Sequence, residues 1–220
     1  MFSRWELTKS LFVKGNQCVK YMYLEKYKKN EKTPLSKEKM ELFSKGFLFE
    51  AEFRKNEFPG GINIKDLGEI AFLASYTSDL LKKSDSVIIY EATIIEDDVL
   101  VMCDVLTKND DEINIYEVKF NTQINEAIIA DLSVQYFVCQ KRFGNKLKSF
   151  NLVLRQTDSN PKWKIIDVTA EMETNVVEVN QKIKQLKEVF INKEPDIVME
   201  EYCNKPYTCE FIDYCKKINT

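Results

Sequence analysis

The stretch INIYEVKF, residues 113–120, places a glutamate and a lysine two positions apart inside an apolar run. Read as a β-strand, its side chains alternate between two faces. Glu117 and Lys119 then share one face, and Val118 points to the other. Two unlike charges where core residues belong are either an ion pair or a reaction site.

Similar runs flank this one. SVIIYEATI at 86–94 and VLVMCDVL at 99–106 read as strands, separated by the acidic turns at 96–98 and 109–111. Residues 125–143 read as a helix, KSFNLVLR at 148–155 as a fourth strand and WKIIDVTA at 163–170 as one more. Three strands, a helix and a strand predict a mixed α/β fold, a meander feeding one crossover. Upstream, residues 7–30 look helical and basic, with Thr8 or Ser10 as a cap and Gly15 ending a first short helix. Residues 36–55 form a second helix, stopping before the turn signal FPGG, and residues 66–83 a third. A helix at 180–192 leads to the tail CNKPYTCEFIDYC. The whole reads as one domain: a helical lobe at 1–83, a core at 84–170, and a helix with a cysteine-bearing tail at 171–220.

Composition narrows the chemistry. The 220 residues are 44% hydrophobic and 30% charged, enough to bury a real core. There is no histidine, which excludes Ser-His-Asp and Cys-His catalysis and His-containing zinc sites. Acid–base or metal chemistry falls to carboxylates, lysines, cysteines or tyrosines. With a net charge of −3, nucleic-acid binding needs a local basic surface, for which Lys14–Lys39 and Lys141–Lys148 are the candidates. No secretory signal or membrane-spanning run is apparent, so the expectation is a cytoplasmic protein without membrane contact, whose six cysteines are not a disulfide framework.

Asp104 interrupts the apolar run before INIYEVKF. A hairpin turning about Asp110 and Asp111 pairs residues whose numbers sum to 221, which sets Asp104 opposite Glu117. Opposed residues share a face, with Cβ atoms about 5 Å apart. Two carboxylates that close repel unless a cation lies between them. Oxygen donors suit magnesium or manganese, which activates a water and neutralises charge on a phosphodiester oxygen. Lys119 on the same face can orient the water or stabilise the transition state. The alternative is a partly buried ion pair of Lys119 with Glu117 or Asp104. On the next helix Asp131 and Gln135 share a face, read either as part of the site or as helix capping and polar groups facing solvent. Glu91, in IIYEATI, reads as a surface-facing strand residue, with support of the site as the alternative.

Aspartate on one strand and Glu-x-Lys on the next resemble the PD-(D/E)XK nuclease superfamily. The ordered set IYEATIIEDDVLVMCDVL, IYEVKFNTQINEAIIADLSVQYFV and CNKPYTCEFIDYC resembles its RecB-like exonuclease branch with a cysteine cluster, which includes the CRISPR-associated RecB-like exonucleases. The resemblance runs from about Leu7 to Cys215. It implies a restriction-endonuclease-like α/β core, a mixed central sheet flanked by helices. It implies Asp104, Glu117 and the Val118 carbonyl as ligands of Mg2+ or Mn2+, and Lys119 as the catalytic lysine. Gly46-Phe-Leu-Phe-Glu50 resembles the branch's Gly-x-x-x-His motif, with Glu50 in the histidine's place and Glu52 a rival. Gln135 resembles the helix glutamine that contacts DNA near the site, counted with the catalytic set. Tyr136 follows it directly, whereas the branch's tyrosine position holds Cys139, so the DNA-binding role of Tyr136 stays open.

Cys103 and Cys139 lie in apolar runs and read as core. Cys203, Cys209 and Cys215 recur every six residues in a polar tail where packing does not favour cysteine. Three thiolates and a distant fourth can hold a [4Fe–4S] cluster; zinc accepts four thiolates too, although C-x-x-C knuckles are absent. Ordinary reduced thiols are the plain alternative. The resemblance favours iron–sulfur, with Cys18 as fourth ligand. It also implies a metal-dependent DNA exonuclease on single-stranded ends, in repair, recombination, phage replication or CRISPR adaptation. The competing reading is a non-catalytic iron–sulfur DNA-binding module or a subunit of a nuclease–helicase complex. No helicase P-loop is present, so a helicase or recombination partner would be another chain. Toroidal assemblies among relatives make a homo-oligomer a further expectation.

Overall fold

A computed structural model describes residues 5–218. Strand β1 (Leu7–Thr8) leads into helices α1 (Lys9–Gln17), α2 (Val19–Tyr27) and α3 (Lys37–Glu57). Strand β2 (Ile62–Asn63) and helix α4 (Ile70–Lys83) precede the meander β3 (Ser86–Glu96), β4 (Val99–Asn109) and β5 (Glu112–Lys119). Helix α5 (Glu126–Phe143) crosses to β6 (Leu147–Arg155), then come β7 (Trp163–Asp167), α6 (Thr169–Thr174), α7 (Val176–Val189) and α8 (Ile212–Ile218). Three helix starts carry side-chain caps: Thr8 accepts from Leu11 N at α1, Ser36 from Lys39 N at α3 and Asn125 from Ile128 N at α5.

The sheet runs β2-β3-β4-β5-β6-β7, with β1 beside the start of β4. The meander is antiparallel, while β6 runs parallel to β5 because α5 carries the chain across. This is a mixed α/β architecture, a central mixed sheet flanked by helices, in agreement with the restriction-endonuclease-like core that the resemblance implies. One face of the sheet packs apolar side chains of α1, α4, α5, α6 and α7, among them Phe12, Leu73, Phe137, Met172 and Leu186. The other meets α3 through Phe49 and Phe53, with Val105, Val118, Val153 and Trp163. The first 83 residues are therefore not only helical, since β1 and β2 belong to the sheet.

Three local expectations are corrected. Gly15 does not end a helix; it lies inside α1, where a Cβ would come 2.7 Å from a Leu186 methyl. The strand at 163 stops at Asp167, whose Oδ1 accepts from Thr169 N at 2.9 Å and turns the chain into α6. The last long helix spans Val176–Val189, because the apolar stripe of Val179, Ile183 and Leu186 docks earlier than its polar sequence suggests.

The phase of β3 and β4 changes in mid-strand. Val87 and Ile89 belong to the main core, and so do Ala92 and Ile94, three residues on rather than two. On β4 the same skip falls between Cys103 and Leu106. Glu91 lies at this break with φ of 59°, a left-handed conformation unusual for a side chain with a Cβ. No helix among the described residues is long and apolar enough to cross a membrane.

Candidate active site

The β4–β5 ladder pairs Val105 with Tyr116 through Asn109 with Glu112, the register that sums to 221. It ends there. Asp104 and Glu117 are the first residues past the last rung, where the two strands part. Asp104 Oδ2 accepts the Val118 N–H at 2.6 Å, so a side chain replaces the lost ladder bond. The first two residues of β4 pair instead with β1 (Leu7 with Val99, Thr8 with Leu100). That strand delivers the start of α1 into the fork, and its first residue, Lys9, reaches Glu117 with Nζ–Oε1 of 2.8 Å.

Glu117 is only 1% exposed and fully engaged. Its Oε1 also accepts from Lys119 Nζ at 2.6 Å, and its Oε2 from Gln135 Nε2 at 2.7 Å. Lys119 and Lys9 share Asp131 Oδ2 as well, at 2.6 and 3.5 Å, with geometry too oblique for hydrogen bonds. Burial alone would raise the Glu117 carboxyl, but the Lys119 and Lys9 ammoniums hold it far below the usual carboxylate range. Asp104 goes the other way: burial, then the Glu117 charge, push it well up. Burial also raises Asp131 against its lysines. Lys119 stays firmly protonated, because Asp131 and Glu117 outweigh its burial.

Helix α3 adds a second tier. Glu50 is ion-paired with Arg54 one turn on, and Arg54 also reaches Glu91 at 3.0 Å. Burial, together with the Glu91 and Glu117 charges, raises the Glu50 carboxyl against Arg54. Glu50, not Glu52, thus shares the field of Glu117; Glu52 points outward, 3.9 Å from Lys162. Glu91 is not a surface residue: it is 8% exposed and held by Arg54 and Lys65. Its backbone conformation turns the carboxylate toward α3 instead of outward.

Gln135 is fully buried, and its Oε1 has no hydrogen-bond partner. Its donor orients Glu117. Tyr136 is 4% exposed and packs on Phe150 with ring centroids 5.5 Å apart, so it has no access to a bound strand. Lys9 is the participant that sequence reasoning missed. Its Thr-Lys-Ser setting looks like an ordinary helix start, and only the β1–β4 pairing brings it here.

A groove of about 770 Å³ opens beside this cluster. Glu50, Val118, Lys119 and Asp131 line it, together with Phe43, Phe47, Phe120, Arg155 and Tyr207. Phe47 is 64% exposed and Tyr207 47%.

At the far end of α1, Cys18 caps the helix by its backbone, and Gln17 Nε2 donates to the Tyr202 and Tyr207 carbonyls of the tail at 2.7 Å each. Cys203, Cys209 and Cys215 gather around Cys18, close enough for the four thiols to feel one another's charge. Burial and then, beyond a lowering hydrogen bond, the other thiols push Cys209 up to about 12. Cys103 and Cys139 are separate core thiols, with sulfurs 3.7 Å apart.

The oxygen donors fit a hard divalent cation: Asp104, Glu117 and Glu50 are carboxylates from three elements, and Asp104 and Glu50 are raised first by burial and then by neighbouring negative charge. In this arrangement the carboxylates close on lysines and arginine. Among the described residues no three carboxylates or thiols stand in ligation geometry around one point.

The second basic stretch is neutralised, the first only in part. Lys14, Lys32 and Lys39 pair with Glu25 or Glu210, and Lys28 pairs with Glu194. Lys141, Arg142, Lys146 and Lys148 face Asp97, Glu96, Asp111 and Glu112. The first stretch keeps more lysines than the carboxylates they share, and its Lys14 and Lys39 line the groove; the second is matched charge for charge.

No family model matches this chain, and no curated protein matches it. Among solved structures, it is similar to an alkaline exonuclease from Laribacter hongkongensis at a TM-score of 0.41 and 11% identity, over 83% of this chain and 90% of that one.

Proposed function

We propose that this chain is a divalent-metal-dependent nuclease that hydrolyses phosphodiester bonds of DNA, working from single-stranded ends. One observation carries the reading: Glu50 and Lys119 line one open groove, and Asp104 and Glu117 lie behind its wall, joined to Val118 N and to the Lys119 ammonium. Asp104, Glu117, the Val118 carbonyl and Glu50 would hold Mg2+ or Mn2+, which when bound supplies a polarised water and offsets charge on the phosphodiester oxygens. Lys119 keeps its proton and offers a fixed positive charge to the phosphate. Gln135 fixes the second oxygen of Glu117. Arg54 holds Glu50 and Glu91 apart from full repulsion. The exposed rings of Phe43, Phe47 and Tyr207 suit bases that are free to stack, which favours single strands over duplex.

The four gathered cysteines support a cluster-binding clamp, [4Fe–4S] in the first place and zinc as the alternative. A role in repair, recombination, phage replication or CRISPR adaptation follows from the resemblance alone, as does a helicase partner.

The engagement of both Glu117 oxygens by protein donors favours a second reading, a DNA-binding module without chemistry. Degradation of end-labelled linear single-stranded DNA decides between them. Protein purified without oxygen is assayed with Mn2+ or Mg2+ beside Glu117→Ala. Metal-dependent cleavage lost in the variant supports the nuclease. DNA binding without cleavage by folded wild type, or cleavage indifferent to Glu117→Ala, decides for the second reading.

A further inference from the structure

Two ammoniums, Lys9 and Lys119, and two carboxylates, Glu117 and Asp131, form a buried group whose formal charges cancel. Such a group is stable as it stands. Removing one partner leaves an uncompensated buried charge. A divalent cation drawn between Asp104 and Glu117 would add two positive charges beside two ammoniums; a proton released from Asp104 offsets one of them, and withdrawal of one ammonium relieves the rest.

The contacts say which. Lys119 lies 2.6 Å from both carboxylates. Lys9 lies 2.8 Å from Glu117 but 3.5 Å from Asp131, so it holds the weaker pair of contacts. Its backbone is fixed by β1 and the Thr8 cap, so only the flexible four-carbon stem needs to move.

We infer that Lys9 is a displaceable counter-ion: its ammonium holds Glu117 charged and oriented before a divalent cation is bound, withdraws on binding, and so sets the affinity of the site. This rests on the metal-dependent reading above. Lys9 is a positioning residue, acting through Glu117. It explains why a chain would bring a second lysine, from 108 residues away, to a carboxylate that Lys119 already pairs.

The test is titration with Mn2+, followed by the electron paramagnetic resonance of the free ion, alongside thermal unfolding with and without Mn2+. The proteins are wild type, Lys9→Met, Lys9→Gln, Lys9→Arg and Glu117→Gln. Lys9→Met should bind Mn2+ about tenfold more tightly than wild type, the scale of one weakened ion pair. Its metal-free Tm should fall, and Mn2+ should restore it toward the wild-type loaded value. Lys9→Gln, which keeps a donor without the charge, should follow Lys9→Met in affinity, and it serves if Lys9→Met folds poorly. Lys9→Arg should stay near wild type. A lowered Tm with unchanged or weaker Mn2+ affinity in both neutral variants overturns the inference and leaves Lys9 a structural ion pair, with the nuclease reading intact if Glu117→Gln alone loses the ion. Mn2+ bound by none of the proteins overturns both readings together.

Discussion

Glu117→Gln in chelator-treated protein removes one charge from the balanced group and leaves two buried ammoniums facing Asp131. At an effective dielectric of about 20, unit charges 2.8 Å apart attract by about 6 kcal/mol. Desolvation cancels part of that gain, and breaking one side of a buried pair costs about 3–5 kcal/mol in practice. The expected loss for Glu117→Gln is in that range, and for Lys9→Met somewhat less, because Lys119 still serves both carboxylates. The double variant keeps one ammonium and one carboxylate, Lys119 and Asp131, 2.6 Å apart. Its charges balance again, so its loss should fall short of the sum of the singles by about 2 kcal/mol, within the range for contacting residues. Urea unfolding followed by circular dichroism and by the fluorescence of the buried Trp163 measures all four proteins. With a slope of roughly 2–3 kcal/mol/M, Glu117→Gln should lower the midpoint by about 1–2 M. Losses that add to within about 0.5 kcal/mol would refute the claim that the four charges act as one unit.

Gly15→Ala should destabilise although alanine favours helices by about 1 kcal/mol, because its Cβ would meet Leu186 at 2.7 Å and Met22 Sδ at 3.0 Å; a higher Tm would show that this helix packing is loose. Asp104 carries a raised carboxyl, so the folded state holds its proton more tightly than the unfolded chain. Metal-free stability should therefore decline as pH rises from the ordinary value of about 3.9 through the raised one, and Asp104→Asn should flatten that decline in a Tm–pH series. Glu117, depressed by its lysines, adds the opposite trend: its stabilisation is present above about 4.3 and is lost as pH falls below it. At Glu91, with φ of 59°, glycine should be better tolerated than alanine by about 1 kcal/mol, since both lose the Arg54 pair but only alanine keeps the left-handed strain; equal Tm values for the two variants would argue against strain there.

The meander was legible because it is local. A short acidic turn fixed the β4–β5 register, and the apolar alternation supplied the faces. Helix α5 and strand β6 were legible for the same reason, with Asn125 capping the one and Gly144 closing it before the other. The site was legible only along the strands. Lys9 was hidden because its role depends on β1 joining the sheet beside β4, a two-residue pairing that carries no periodic signal. Glu91 was misread because alternation assumes one phase along a strand, and a left-handed residue reverses it. The basic stretch at 141–148 misled for a third reason: charge along the sequence says nothing of the acidic partners that folding brings to it.

Helix α1 has nine residues, a rod of about 13.5 Å. One end holds Lys9 against Glu117; the other is fastened to a tail more than 180 residues downstream, through Gln17 and the carbonyls of Tyr202 and Tyr207. During synthesis the carboxylates of β4 and β5 therefore emerge well before the segment that seats this rod. The hairpin can form early from its own short-range contacts, but contacts between distant parts of a chain close late. A ribosome stalled before Tyr202 would hold a chain with every charged residue of the group already made, and with the helix that delivers one of them still loose at its far end.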